Sequence, residues 1–140
     1  MSDQLVNIDY KIFKKLSSTR IQEARFLYNK GFYSGAYYLA GYSIEFALKA
    51  YYCKQMKFPP RETKDLYSHN ISTLVQSCGL KKQFEKDIKK DHNLGGFWGT
   101  VKEWNEEARY KIFKKRTVEN FLKAIDNKSK GVLTWIKKKL

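Results

Sequence analysis

The segment from Ala24 to Tyr52 constrains the fold more than any other part of this chain. It reads as the end of one helix, a turn at Gly31 and a second helix rich in apolar residues. Small side chains recur along the second helix at intervals of four, three, four and three residues, at Ala36, Ala40, Ser43, Ala47 and Ala50. This spacing keeps them on one face, where another helix can approach closely. The segment therefore predicts a helical bundle.

The rest of the chain supports an all-α fold. Its 140 residues, 42% of them hydrophobic, are enough for one packed core without metal or disulfide staples. No stretch of six residues alternates cleanly between apolar and polar, so no strand is predicted. We expect a single domain over residues 1–140, with its core in 18–138, folded as an up-and-down bundle of four to five helices. Start and stop signals predict helices at about 19–30, 33–57, 70–78, 80–90 and 117–140.

Some local expectations depend on single residues. Ser17 to Thr19 offer caps for the first helix, and Pro59-Pro60 should end the second. Residues 92–99 contain three glycines, which predicts a loose or sharply turned backbone. The stretch from Trp98 to Tyr110 has helical spacing, and Gly131 is a weak point in the last helix.

The cysteines and the chain start indicate the compartment. Cys53 and Cys78 form no CxxC pair and have no histidine at ligand spacing, so free buried thiols are expected, with no metal or cofactor. Met1 to Asp9 does not resemble a signal peptide. The longest apolar run, 36–52, is interrupted by charge and falls short of a membrane span. We expect a cytoplasmic protein.

The charge balance indicates a polyanionic partner. Lysine and arginine number 28 against 14 acidic residues, a formal charge of +14. Nucleic acid is the first expected partner and an acidic protein the second, while lysines that merely solvate helix faces are the simpler alternative. Lysine dominates arginine, so RNA contacts should be made to phosphates rather than to bases. The candidate nucleic-acid-binding residues are Lys111, Lys114, Lys115 and Arg116.

Glu45 is the first candidate site residue, because an acid within so apolar a helix is costly to bury unless it is paired or used. Lys49 lies one turn away in the favourable orientation for an ion pair. An arginine of another helix, Arg25 or Arg109, is an alternative partner. His69 stands near the start of a short helix, where it could pack over the first turn or transfer a proton.

Four stretches resemble the HEPN superfamily, and the resemblance as a whole covers about residues 18–138. They are YNKGFYSGAYYLAGYSIEFALKAYYCKQ at 28–55, SHNISTLVQSCG at 68–79, EWNEEARY at 103–110 and VLTWIKKKL at 132–140. The resemblance implies a helical bundle that dimerises. Many members are metal-independent ribonucleases of toxin–antitoxin, phage-defence or CRISPR systems. Their sites form between subunits from an arginine, four to six intervening residues and a histidine, which suit phosphate binding and acid–base work respectively.

That arginine–histidine motif is absent from this sequence. Seven residues separate Arg61 from His69, no arginine precedes His92 at the right spacing, and no histidine follows Arg109. Helix two of HEPN proteins often carries a polar residue that faces the cleft between subunits, and Glu45 corresponds to it by resemblance. The resemblance thus makes Glu45, His69 and Arg109 the candidate catalytic set, with Arg109 binding phosphate.

The sequence is compatible with three functions. The preferred one is a homodimeric module that binds RNA or a partner protein, such as a nucleotidyltransferase-type or other acidic protein, in defence or toxin–antitoxin biology. The second is a metal-independent endoribonuclease with the candidate catalytic set gathered at the dimer cleft. The third is a purely structural, protein-binding subunit. The first two helices carry more tyrosines than one small core needs, which favours a dimer interface, where the rings can be buried while the hydroxyls stay hydrated. These tyrosines are Tyr28, Tyr33, Tyr37, Tyr38, Tyr42, Tyr51 and Tyr52.

Overall fold

The computed structural model of the protein describes residues 2–55 and 68–140, with side chains from residue 8 onward. It contains seven α-helices and one 3-10 helix, and no strand occurs in these two ranges. The α-helices are α1 Ser2–Asn29, α2 Tyr33–Gln55, α3 Ile71–Ser77, α4 Lys81–Lys90, α5 His92–Val101, α6 Lys115–Asp126 and α7 Val132–Lys137, and the 3-10 helix is Glu106–Tyr110. The predicted all-α bundle is confirmed. Pro59-Pro60 and Arg61 lie outside the described residues.

The turn between α1 and α2 is built around Gly31, as predicted. Gly31 has a φ of 86°, a left-handed value that costs glycine little. The amide of Phe32 donates to the carbonyl of Leu27 at 2.8 Å, and that of Gly31 donates to Tyr28 at 3.0 Å. This pair of bonds is a Schellman motif, which satisfies the last carbonyls of α1 and turns the chain into α2.

The helix α1 begins much earlier than predicted. It runs unbroken from Ser2, so Ser17 lies within it rather than capping it. Ser17 is buried, and its hydroxyl donates to the carbonyl of Ser43 on α2 at 2.6 Å. The prediction that Ser17 caps a helix is wrong, because its hydroxyl donates to a carbonyl on another helix.

The small-residue face of α2 is used inside the chain. Ala36, Ala40, Ser43, Ala47 and Ala50 are all fully buried. On the same helix Gly41 lies against the indole of Trp104, where an added Cβ would come within 2.0 Å of Cε2. Small residues thus let other elements approach α2, which contacts α1, α3, α6, α7 and the 3-10 helix. This face offers no surface to a second copy, and the dimer remains a prediction. Of the tyrosines expected at its interface, Tyr37 and Tyr52 are buried and the others pack partly against the core.

The glycine-containing stretch after α4 is helical, contrary to the prediction of a loose turn. The Asp91 carboxylate caps α5 by accepting from the amides of Asn93 and Leu94 at 3.1 and 3.3 Å. A Cβ at Gly95 would lie 3.0 Å from the Ile88 side chain, so this glycine lets α5 pack closely on α4. The cap and the packing outweigh the low helix propensity of glycine.

The predicted long C-terminal helix is two helices, α6 and α7. Asn127 ends α6 and accepts hydrogen bonds from the amides of Ser129 and Lys130 at 3.2 and 3.0 Å. The backbone then folds so tightly that a Cβ at Gly131 would lie 2.5 Å from the carbonyl oxygen of Ile125. The weak point noted at Gly131 is therefore a helix break.

The prediction of free buried thiols is confirmed. Cys53 and Cys78 are both buried and unbridged. The Cys78 thiol donates to the carbonyl of Leu48 at 3.2 Å. Burial, with a smaller contribution from Cys53, raises the pKa of Cys78 to about 12. Within the two described ranges, no helix is both long and apolar enough to cross a bilayer.

Candidate functional site

Glu45 lies in the middle of α2 with only 2% of its side chain exposed. Its two carboxylate oxygens have different partners. Oε2 accepts from Nζ of Lys49 at 3.0 Å, and Oε1 lies 2.7 Å from Nδ1 of His69. Buried carboxylates need such partners to offset the loss of hydration. The predicted ion pair between Glu45 and Lys49 is present, and His69 is a second partner of the same carboxylate.

His69 joins α2 to the 3-10 helix. It precedes Asn70, whose side chain caps α3 by accepting from the amide of Thr73 at 2.9 Å. While Nδ1 faces Glu45, Nε2 lies 3.3 Å from Oε2 of Glu106. The side chain is 35% exposed, so one edge reaches solvent. A protonated ring can donate to both carboxylates, whereas a neutral ring can donate to only one.

Aromatic side chains surround this histidine. The ring of Tyr42 meets that of His69 edge-on at 5.9 Å and that of Trp104 at 5.0 Å. The hydroxyl of Tyr42 lies 3.2 Å from that of Tyr38. Burial first, then the hydrogen bond with Tyr38 and the charges of Glu45 and Glu106, raise the pKa of Tyr42. Its phenol therefore stays neutral at physiological pH.

Arg109 approaches this cluster from the outside. Its guanidinium lies 4.8 Å over the ring of Tyr110. Hydrogen bonding to Tyr110 and then to Tyr38 raises the pKa of Arg109. Within residues 2–55 and 68–140, neither Arg25 nor Arg109 forms the alternative ion pair with Glu45. Glu45 pairs with Lys49 and His69, while Arg25 pairs with Asp126. Tyr38 contacts Tyr42 through their hydroxyls, and Tyr42 contacts His69 through their rings.

The candidate nucleic-acid-binding residues follow directly in the chain. The expected helical continuation from Trp98 to Tyr110 is wrong, since α5 ends at Val101 and the short 3-10 helix leads into an extended stretch at 111–114. Phe113 fixes that stretch: its amide donates to Oγ of Ser34 at 2.8 Å, and its ring stacks on Tyr37 at 3.8 Å. All four basic residues are exposed, at Lys111, Lys114, Lys115 and Arg116.

Glu106 is the side chain of this cluster that the sequence analysis missed. It begins the 3-10 helix, where Asn105 caps by accepting from the amide of Glu107 at 2.9 Å. The Asn-Glu-Glu run is a recognisable helix start. Its position opposite His69, 37 residues earlier in the chain, depends on tertiary packing. The two carboxylates face different nitrogens of one ring, and no metal-binding group of three or more such ligands occurs among the described residues.

A family model described as the HEPN domain matches residues 10–139, nearly the whole chain. No curated protein and no solved structure matches it significantly. The match agrees with the all-α bundle. The chain therefore belongs to the HEPN domain family.

Proposed function

We propose that this protein is an RNA-binding module and that its contact surface is the segment 109–116, which we call the basic segment. HEPN membership suggests, at family level, an RNA-related role in defence or toxin–antitoxin biology. The observation that carries the proposal is the density of exposed positive charge. Five of these eight residues are basic and exposed, with no acid among them: Arg109, Lys111, Lys114, Lys115 and Arg116. Such a surface attracts phosphates irrespective of sequence.

The placement of Lys115 and Arg116 supports anion binding. They open α6, and Lys114 occupies its N-cap without a capping hydrogen bond. The N-terminal end of a helix carries partial positive charge, so basic residues there destabilise the helix and acidic ones stabilise it. The same positive end attracts a phosphate. The arrangement therefore lowers the stability of helix α6 in the free protein and raises the affinity of the protein for a polyanion.

Tyr110 supplies a surface for a base. Its side chain is 75% exposed, and the guanidinium of Arg109 covers one face. Aromatic rings beside basic side chains are typical of single-stranded nucleic-acid binding, because every base can stack on them. The basic segment thus combines phosphate contacts with a stacking position.

Metal-independent ribonuclease activity is the second candidate function, and the 2.7 Å contact between Glu45 and His69 favours it. A carboxylate that holds one nitrogen of a histidine orients the other for proton transfer, here from the RNA 2′-hydroxyl. Arg109 would then bind the phosphate, with the site completed at the cleft of a homodimer. Glu106 would have to release Nε2, from which it lies 3.3 Å.

The test is the salt dependence of RNA binding. Fluorescence anisotropy of a labelled single-stranded RNA of about 20 nucleotides is measured between about 50 and 200 mM NaCl. The double variant Lys115→Gln/Arg116→Gln should bind more weakly at every concentration and lower the logarithmic salt slope by about 1.5. Lys81→Gln/Lys82→Gln is the matched control, since it also removes two exposed charges from the first turn of a helix, α4.

The control decides the outcome. If the two double variants weaken binding equally, the basic segment is not the site and the proposal fails. If the wild-type protein does not bind RNA even at low salt, the structural, protein-binding role stands instead.

A further inference from the structure

A cleft of about 520 Å³ opens where the α1–α2 turn meets the extended stretch before α6. Leu27, Phe32, Ile112 and Phe113 supply its large apolar side chains. Its remaining lining is uncharged, consisting of tyrosine, serine and glycine at the turn and the start of α2. We call it the Phe32–Ile112 cleft. The basic segment contributes Ile112 and Phe113 to this cleft, while its five basic side chains are not among the lining residues.

The apolar side chains of this cleft are unusually exposed. Ile112 is 95% exposed and Phe32 is 63% exposed. Scattered apolar residues on a surface are ordinary, but two large ones in one concave site are typical of a place where a partner binds. The stretch that holds Ile112 is also fixed, because Phe113 bonds to Ser34 and stacks on Tyr37. The cleft is therefore formed before any partner arrives, which lowers the entropic cost of binding.

The charge around the cleft selects the partner. Lys30, Lys111 and Lys114 are exposed, and each adjoins a lining residue in the chain. An apolar cleft with a lysine rim is complementary to an apolar side chain flanked by carboxylates. A nucleic acid matches the rim but not the cleft, since bases stack on flat aromatic faces rather than insert between an isoleucine and a phenylalanine.

We propose that the Phe32–Ile112 cleft is the docking site for an acidic segment of a partner protein, which inserts an apolar side chain between Phe32 and Ile112. The apolar anchor supplies most of the affinity, and the lysine rim supplies orientation and association rate. This inference goes beyond the proposed RNA binding and does not depend on it.

The test uses the whole protein and an unbiased set of peptides. A displayed library of random peptides of about 12 residues is selected against the immobilised protein. The selected sequences should be acidic and contain an aromatic or branched aliphatic anchor. The strongest is synthesised with a fluorescein label, and its affinity is measured by anisotropy. Phe32→Ser and Ile112→Ser should each weaken its binding at least about tenfold.

Ile12→Ser is the matched control and should leave peptide affinity unchanged. Ile12 is 47% exposed on α1, about 22 Å along the helix from Leu27. All three positions are exposed, and circular dichroism shows whether the variants keep their helical content. Selected peptides that lack acidic residues, or that bind the cleft variants as well as the wild type, overturn the proposal.

RNA binding separates the two proposals. The labelled RNA should bind Phe32→Ser as it binds the wild type, because Phe32 lies outside the basic segment. If Phe32→Ser weakens RNA binding as much as Lys115→Gln/Arg116→Gln does, the cleft belongs to the RNA surface and the docking proposal is wrong. If no RNA binds while the peptide result holds, the RNA proposal fails alone.

Discussion

Oε1 of Glu45 lies 2.7 Å from Nδ1 of His69, and this contact joins the buried centre of α2 to the segment that opens α3. His69 continues the connection to Glu106 on the 3-10 helix, from which the basic segment begins. One histidine therefore links the buried Glu45 to the element that carries Arg109. Its removal should affect both stability and the position of the basic segment.

The first prediction concerns the stability contributed by Glu45. Glu45→Gln keeps the shape of the side chain but leaves Lys49, whose side chain is only 11% exposed, without its anionic partner. Breaking a buried ion pair from one side typically costs about 3–5 kcal/mol in the free energy of unfolding. We expect a loss near the lower end, because an amide can still accept hydrogen bonds. A urea titration measures it.

Lys89→Gln is the control for Glu45→Gln. Lys89 is exposed on α4, and the change should alter the free energy of unfolding by no more than about 0.5 kcal/mol. Equal effects of the two substitutions would show that Glu45 is not held by an important ion pair.

The second prediction separates binding from cleavage. Incubated with single-stranded RNA and tRNA in the presence of a chelator, the protein should leave the RNA intact while anisotropy shows binding. The reason is that both nitrogens of His69 already face carboxylates, at 2.7 and 3.3 Å. Gel electrophoresis of the RNA after incubation gives the result.

Cleavage that disappears in either His69→Ala or Arg109→Ala would establish the ribonuclease instead. Cleavage that survives in both variants would point to a contaminating nuclease. His92→Ala is the matched histidine control, since His92 is exposed at the start of α5.

Features set by neighbouring residues could be predicted from the sequence. The turn at Gly31 uses local hydrogen bonds and a left-handed φ, which short motifs encode. The pair of Glu45 with Lys49 belongs to the same class, because one helical turn separates them.

Features that depend on tertiary contacts could not be predicted in the same way. Ser17 has the composition of a cap, yet its acceptor lies 26 residues away on α2. The glycines of α5 predicted a turn, but the cap at Asp91 and the packing of Ile88 on Gly95 stabilise a helix instead. The contact of His69 with Glu106 likewise joins residues whose spacing carries no signal. For Ser17 and His69 a distant partner decides the outcome, whereas α5 depends on a local cap and on packing against α4.

The third prediction concerns the close contact of Gly41 with Trp104. Alanine at Gly41 would gain about 1 kcal/mol of helix propensity. Its Cβ would, however, lie 2.0 Å from the Trp104 ring, and both residues are buried. Overpacking typically costs about 1–3 kcal/mol and can cost more. We therefore expect Gly41→Ala to lower the free energy of unfolding by at least about 2 kcal/mol in a urea titration.

Gly96→Ala is the matched control on helix α5. An added Cβ at Gly96 meets nothing within 4 Å, and the residue is exposed. This substitution should raise the free energy of unfolding by about 0.5–1 kcal/mol through helix propensity alone. A stabilised Gly41→Ala variant would mean that the Trp104 indole does not pack against α2 in solution.

The last prediction follows from the raised pKa of Cys78. Burial shifts this pKa from 9.0 to about 12, so the folded protein holds the thiol proton where the unfolded chain has released it. Stability rises with pH only where the unfolded state binds more protons, and here the folded state binds more. The contribution of Cys78 is therefore fully present below pH 9.0 and is lost progressively towards about pH 12.

Urea titrations of the wild type and Cys78→Ala at pH 8 and pH 10 measure this contribution. The wild type should lose more stability over that interval than the alanine variant, because only the wild type carries the buried thiol proton of Cys78. The thiol should also react with a disulfide reagent at pH 8 only after urea unfolds the protein, since the thiolate is the nucleophile. Rapid reaction in the folded state, or equal losses in the two proteins, would contradict the burial of Cys78 against the carbonyl of Leu48.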